Sequence, residues 1–296
     1  MSVPVSRSKA VAHLGIVLLL TLPVGCSSGQ PKQGKLLPQP IVDAWTQAGA
    51  EVGWVRLDSG GRFQFIPASA TKPIGGGFHS GIPNGPVYPG PKGGDQAGDL
   101  AGFKIILWRE GAIARLPVPQ QPFGIFLAAD VTDASLKELA GLNTLQALTL
   151  NGATQVTDAG LKQLAGLTAL QTLAFWSSTP VTDAGLKELA RLKALRNLCL
   201  RDTEVTDAGL KELAALKGLQ TLDLHNTRVT DAGLKQLAAL TGVQALDLSE
   251  TMVTDAGLKE LASLKRLQKL DLQGTQVTDA GLNELRKALP NCEIGK

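Results

Sequence analysis

The chain has 296 residues, 44% of them hydrophobic and only 4% aromatic, with a formal charge of +3. Arg7 and Lys9 sit in an N-terminal export-like segment, and removing them leaves +1. So neutral a chain argues against nucleic acid as a partner, because phosphate backbones are gripped by clustered Lys and Arg.

Residues 1–25 read as an export signal: Arg7 and Lys9 make a basic start, and Val11 to Leu22 form an apolar run too short to span a membrane confidently. The run ends in Leu22-Pro23-Val24-Gly25-Cys26, which resembles a bacterial lipoprotein lipobox with Cys26 as the lipidated residue. Pro23 departs from that pattern, and ordinary cleavage or an uncleaved anchor are the alternatives. Acyl chains at Cys26 would tether the chain to a membrane in the cell envelope. Residues 26–40 are a polar linker containing Pro and Gly.

Residues 41–122 form an N-terminal cap region. Trp45, Val52, Trp54, Val55, Leu57, Phe63 and Phe65 are spaced like one short helix and a hairpin that turns at Ser59-Gly60-Gly61. Residues 74–98, roughly half Gly and Pro, predict a loop without a core. Gly75 to Gly77 lack the following Gly-Lys-Ser/Thr of a phosphate loop. Phe103 to Trp108 is strand-like, Gly111 marks a turn, and Ala112 to Leu116 is a candidate return strand. This small αβ unit would cover the open N-terminal end of a repeat core.

From Phe123 to Lys296 the chain repeats. Val-Thr-Asp recurs at Val131, Val156, Val181, Val205, Val229, Val253 and Val277, every 24 or 25 residues. In the copy from Leu219 to Leu240, Leu222 and Leu224 share one side of a short strand, while Thr221, Asp223 and His225 share the other. After Val229 the apolar spacing changes to that of a helix face, as Leu234, Leu237 and Ala238. Thr230 and Asp231 are both candidates for the helix N-cap. Gly233 costs helix stability, so its recurrence at Gly160, Gly185, Gly209, Gly257 and Gly281 points to close contact between neighbouring units; the first copy has Ser135 instead. Parallel strands about 4.8 Å apart with wider helices outside force the stack to curve, strands on the concave side. At the far end, Asn291 to Ile294 is a candidate edge strand.

This pattern, LxxLxLxxTxVTDAGLKxLAxL, resembles the leucine-rich repeat of ribonuclease-inhibitor-like and F-box-associated repeat proteins. The resemblance implies an α/β solenoid shaped as a horseshoe, and it covers a little over half the chain. The family's usual Asn or Cys after the strand is Thr here, at Thr154, Thr179, Thr203, Thr227, Thr251 and Thr275, whose hydroxyls can still bond the turn backbone.

His225, Asp223 and Asp247 invite an acid-base or metal reading. Asp223, Asp247 and Asp271 occupy one consensus position, however, so duplication accounts for the column without catalysis, metal or cofactor. Cys199 falls on the same strand side, and its distance from Cys292 predicts no disulfide between them. The lysine column from Lys137 to Lys259 on the helices reads as a solvated face, balanced by Glu138, Glu188, Glu212 and Glu260.

The expected binding surface is the concave face, exposing Thr149 and Asn151, Ala174 and Trp176, Cys199 and Arg201, Asp223 and His225, Asp247 and Ser249, and Asp271 and Gln273. Trp176 beside Arg201 has the composition of a binding hot spot; packing against Pro180 or the cap is the other reading. The chain is therefore expected to be a non-enzymatic, exported, membrane-tethered protein that binds another protein through this face. The alternatives are a structural envelope spacer or, on resemblance only, a ubiquitin-ligase-like substrate adaptor, although no F-box-like segment is evident.

Overall fold

The structure, a computed structural model, describes residues 16–18, 37–57, 63–67, 100–105, 111, 113–128, 131–153, 155–176 and 179–296. Cys26, the lipobox, most of the 26–40 linker, the 74–98 loop with Gly75 to Gly77, and the Ser59-Gly60-Gly61 turn lie outside the described residues.

Each repeat delivers a strand and a helix. The strands are β5 (Phe123–Leu127), β6 (Leu145–Leu150), β7 (Thr172–Phe175), β8 (Asn197–Leu200), β9 (Thr221–Asp223), β10 (Ala245–Asp247), β11 (Lys269–Asp271) and β12 (Glu293–Gly295). All are parallel and adjacent in chain order, with equivalent residues in register: Cys199 faces Asp223, Asp223 faces Asp247, and Asp247 faces Asp271. The last of them is the edge strand expected near Asn291 to Ile294. The helices α2 (Asp133–Leu139), α3 (Asp158–Leu164), α4 (Asp183–Leu189), α5 (Asp207–Leu213), α6 (Asp231–Leu237), α7 (Asp255–Leu261) and α8 (Asp279–Ala288) stack side by side on the outer face. Between the layers lies one continuous leucine core, in which Leu222, Leu224, Val229, Leu234 and Leu237 are each at most 1% exposed.

The cap is α1 (Gln39–Gln47) with β2 (Ala50–Leu57), β3 (Phe63–Pro67) and β4 (Leu100–Ile105). The hairpin β2–β3 is antiparallel as expected, and β4 carries the sheet into the solenoid by pairing in parallel with β5. Trp45 stacks on Phe103 with ring centroids 3.5 Å apart, meets the edge of Phe123, and donates its indole N–H to Pro117 O. These three buried rings close the end of the core. Residues 113–116 form turns and not the expected return strand. The reason lies in α2: the Glu138 carboxylate accepts hydrogen bonds from the backbone N–H groups of Gly111, Ile113 and Ala114, meeting donors that a sheet would otherwise use. Ile16–Leu18, inside the expected export signal, forms a further strand, β1, against β2 and β4.

The recurring Val-Thr-Asp-Ala-Gly block is explained by contacts between units. Thr230 is the N-cap of α6, its hydroxyl accepting from Ala232 N, and Asp231 is the first helical residue. From Asp133 to Asp255, the carboxylate of each such Asp is spent on the following unit. Asp207 accepts from Thr230 N at 2.8 Å and from the Thr230 hydroxyl at 2.6 Å. The same pair of bonds joins Asp133 to Thr157, Asp158 to Thr182, Asp183 to Thr206, Asp231 to Thr254 and Asp255 to Thr278. Gly233 is explained by this clamp, because a Cβ there would fall well inside contact distance of Asp207 Oδ1 and the Leu210 side chain. Ser135 is explained too. With no earlier Asp to serve Thr132, the Ser135 hydroxyl accepts from Thr132 N while Ser135 N donates back to the Thr132 hydroxyl.

The Thr after each strand also has a settled role. Thr203 and Thr227 donate to Leu200 O and Leu224 O, 2.6 and 2.7 Å away, and Thr275 donates to Leu272 O. Each hydroxyl thus closes the turn that returns the chain to the outer layer.

Candidate binding surface

The sheet register arranges the concave face in rows that run across the strands. One row reads Phe126, Thr149, Ala174, Cys199, Asp223, Asp247 and Asp271. Two residues further along each strand direction lie Asn151, Trp176, Arg201, His225, Ser249 and Gln273. The first row changes character along the solenoid, from apolar or small at the cap end to acidic at the C-terminal end, while the second holds a different side chain in every unit.

Exposure divides the expected surface. Asn151, Trp176, Arg201, Asp223, His225 and Asp271 are half-buried, and Gln273 is exposed. Thr149, Asp247 and Ser249 were expected to face solvent but are buried, at 0%, 4% and 2% exposure; Ala174 and Cys199 are buried as well. Alternation along a strand fixes only the side on which a residue stands. On the inside of a curve, side chains from strands about 4.8 Å apart converge, and short ones end up below the reach of longer neighbours.

Two linked polar groups occupy the acidic end. In the first, Arg201 Nη1 lies 3.7 Å from Asp223 Oδ2, and its Nε lies 3.9 Å from Asp202. Cys199 Sγ lies 3.4 Å from both Asp223 Oδ2 and Phe175 O, and Asp223 Oδ1 accepts from His225 N. Burial, reinforced by the Asp223 charge, pushes the Cys199 thiol well above its ordinary range, so this sulfur is not a reactive thiolate. Burial likewise raises Asp223, against the pull of the Arg201 guanidinium.

In the second group, Asp247 Oδ1 accepts from both the backbone N–H and the hydroxyl of Ser249, and that hydroxyl lies 2.7 Å from His225 Nδ1. Because the serine proton is directed at Asp247, His225 Nδ1 carries its own proton and donates. This is the reverse of the relay that activates a serine nucleophile, in which His removes the hydroxyl proton. Burial, followed by the Arg201 charge, holds His225 below its ordinary pKa. Asp247 is pushed up to about 6 by burial, in spite of its bonds to Ser249.

A rim beyond the strands went unrecognised in the sequence. Asp202, Asn226 and Glu250 have left-handed backbone, with φ of 57°, 51° and 56°, in line with Gly152 and Gly274. Asn226 Nδ2 donates to Asp202 Oδ1 at 2.7 Å. The signal was present as Gly, Asp, Asn and Gly at one repeat position, the residue types that tolerate positive φ. Glu250 hides the pattern. Met252 is 49% exposed, the one large hydrophobic side chain so exposed among the described residues.

A family model described as leucine rich repeat matches residues 217–277. Among solved structures, the chain is similar to an internalin from Listeria monocytogenes, with 20% identity and a TM-score of 0.45 over 60% of this chain. It spans about half of that protein, 54% of its length. An internalin C2 from the same organism is 30% identical, with a TM-score of 0.46, over 58% of this chain and 70% of that one. No curated protein matches the chain.

Proposed function

The chain is a leucine-rich-repeat protein, and we propose that it acts without catalysis, holding a protein partner along its concave face from Asn151 to Gln273. One observation carries this reading. The Val-Thr-Asp-Ala-Gly-Leu block is copied nearly unchanged through the units, yet Asn151, Trp176, Arg201, His225, Ser249 and Gln273, at one equivalent position, all differ. A spacer needs no such variety, whereas a surface matched to one partner does. Trp176 and Arg201, adjacent across two strands, supply the residue types that dominate binding energy.

The same proposal has the chain exported through residues 1–25 and tethered by lipid at Cys26; that cleavage would remove β1 and leave the direct pairing of β2 with β4 to hold the cap sheet. The N-terminal sequence supports this, from the basic start to the lipobox-like ending.

The test is affinity capture from crosslinked intact cells, comparing the native chain with a Trp176→Ala, Arg201→Ala, Asp223→Ala variant of equal thermal stability. A protein enriched by the first and lost with the second is the expected result. Identical captures would refute the concave-face reading. Labelling with a palmitate analogue, lost in Cys26→Ser, checks the tether.

A further inference from the structure

Asp247 is placed at odds with its surroundings. It is 4% exposed, both bonds from Ser249 go to Oδ1, and no donor among the described residues lies within hydrogen-bonding distance of Oδ2. A buried carboxylate oxygen without a partner is costly. The fold does not demand it, because the equivalent positions on β6, β7 and β8 hold the uncharged Thr149, Ala174 and Cys199. The scaffold uses Oδ1 alone, since Asp223, Asp247 and Asp271 each accept there from the backbone N–H two residues on; it leaves Oδ2 of Asp247 unaccounted for.

The neighbourhood indicates what would meet that oxygen. Strands β8 to β11 and their rim carry the carboxylates Asp202, Asp223, Asp247, Glu250 and Asp271 against Arg201 and Lys269. Arg201 is already engaged with Asp202 and Asp223. That leaves Asp247, Glu250 and Asp271 against Lys269, an excess of negative charge in which Asp247 and Asp271 face each other in register on β10 and β11. Strands about 4.8 Å apart suit a group that holds its acceptors about 2.8 Å away, as ammonium and guanidinium do. A bare metal ion requires several oxygens gathered within about 2.6 Å. No group of three or more His, Cys, Asp or Glu side chains among the described residues is placed to hold one.

We propose that Asp247, flanked by Asp223 and Asp271, is a subsite for a lysine or arginine side chain of an extended partner segment laid across the concave face. The inference rests on the reading that this face binds a protein, and it names the chemistry the partner brings. The Ser249 bonds fix Oδ1 and leave Oδ2 for the incoming cation, which enters as the side chains above the row part. The cation supplies the donor that Oδ2 lacks in the free protein.

Binding is linked to protonation. The groups around Asp247 are Asp223 and His225 on the β9 side with Arg201 behind them, Asp271 and Lys269 on β11, and Ser249 on its own strand. An ammonium group binds the ionised carboxylate, so affinity falls as the pH drops through about 6 and Asp247 takes up a proton. Protonation of His225, which burial holds below its ordinary pKa, also opposes the cation.

The experiment titrates the full chain with hexalysine, using fully N-acetylated hexalysine and calcium chloride as comparison probes, for three proteins: native, Asp247→Asn, and Glu212→Gln on the helical face. Expected is hexalysine binding to the native chain that weakens at least tenfold in Asp247→Asn and from pH 7 to pH 5. Glu212→Gln should bind as the native chain does, and Asp247→Asn should melt no lower than it. Equal binding to native and Asp247→Asn proteins, no binding to either, displacement of hexalysine by equimolar calcium, or a lower melting temperature in Asp247→Asn would each overturn the proposal. Partner capture separates the two levels of inference. If the Trp176, Arg201, Asp223 variant loses the partner and Asp247→Asn keeps it, the subsite alone fails; if neither loses it, the protein-binding reading fails as well.

Discussion

The molecule carries two columns of aspartates, one present in every unit on the helical side and one confined to the units of β9, β10 and β11 on the concave side, and their environments are opposite. On the helical side, Asp133, Asp158, Asp183, Asp207, Asp231 and Asp255 each receive an N–H and an O–H from the Thr of the next unit. On the concave side, Asp247 is buried with an oxygen left over, and Asp223 depends on an arginine from the neighbouring strand. The first column holds units together; in the second, the unpaired buried oxygen of Asp247 lowers the stability of the free protein. Regular recurrence in a sequence therefore does not by itself identify a structural role. The distinction lies in whether the recurring group finds its partners inside the fold.

The largest effect should come from breaking the clamp. Asp207→Ala removes both acceptors of Thr230, one charge-assisted pair of bonds, and is expected to cost ~2–3 kcal/mol in urea unfolding. Gly233→Ala attacks the same clamp sterically. Pushing Asp207 away costs ~1–3 kcal/mol, partly offset by about 1 kcal/mol of helix propensity, for a net loss of ~1 kcal/mol. A stabilised Gly233→Ala protein would show that the glycine is there for some other reason. Asp247→Asn should move in the opposite direction, gaining ~1 kcal/mol at pH 7 as a buried unpaired charge is replaced by an amide. Asp279 heads α8, clamps no Thr among the described residues, and lies exposed 3.7 Å from Lys296 Nζ; Asp279→Ala should leave the melting temperature unchanged within error.

Asp255 from the first column and Asp247 from the second predict opposite responses to pH. Bonds from the Thr278 hydroxyl and backbone hold Asp255 below its ordinary pKa of 3.8. Its contribution is present above that value and is lost as the pH falls through the lower folded-state pKa. Asp247 rises from 3.8 to about 6, so the folded chain binds its proton more tightly than the unfolded chain does. Its penalty is full above pH 6 and fades as the pH falls from there towards 4, an effect on the order of 3 kcal/mol. Melting curves across pH 4 to 7 should show this relief in the native chain and not in Asp247→Asn.

The sequence by itself determined the repeat, its length, and the division of each unit into strand, turn and helix, since these depend on spacings within about a dozen residues. It also indicated that Gly233 and its equivalents mark contact between units. Tertiary structure decided what that contact is. Thr230 and Asp231 were both candidates for the N-cap, and the choice depended on a donor in the neighbouring unit, Thr254, that takes up the Asp231 carboxylate. It also decided that Thr149, Asp247 and Ser249 are buried where alternation had placed them toward solvent, and that Ile16–Leu18 joins the sheet of the cap. Strand alternation is a local property, fixed by the backbone. Burial and hydrogen-bond satisfaction depend on side chains one unit away in sequence and one strand away in space, and only the assembled solenoid brings them together.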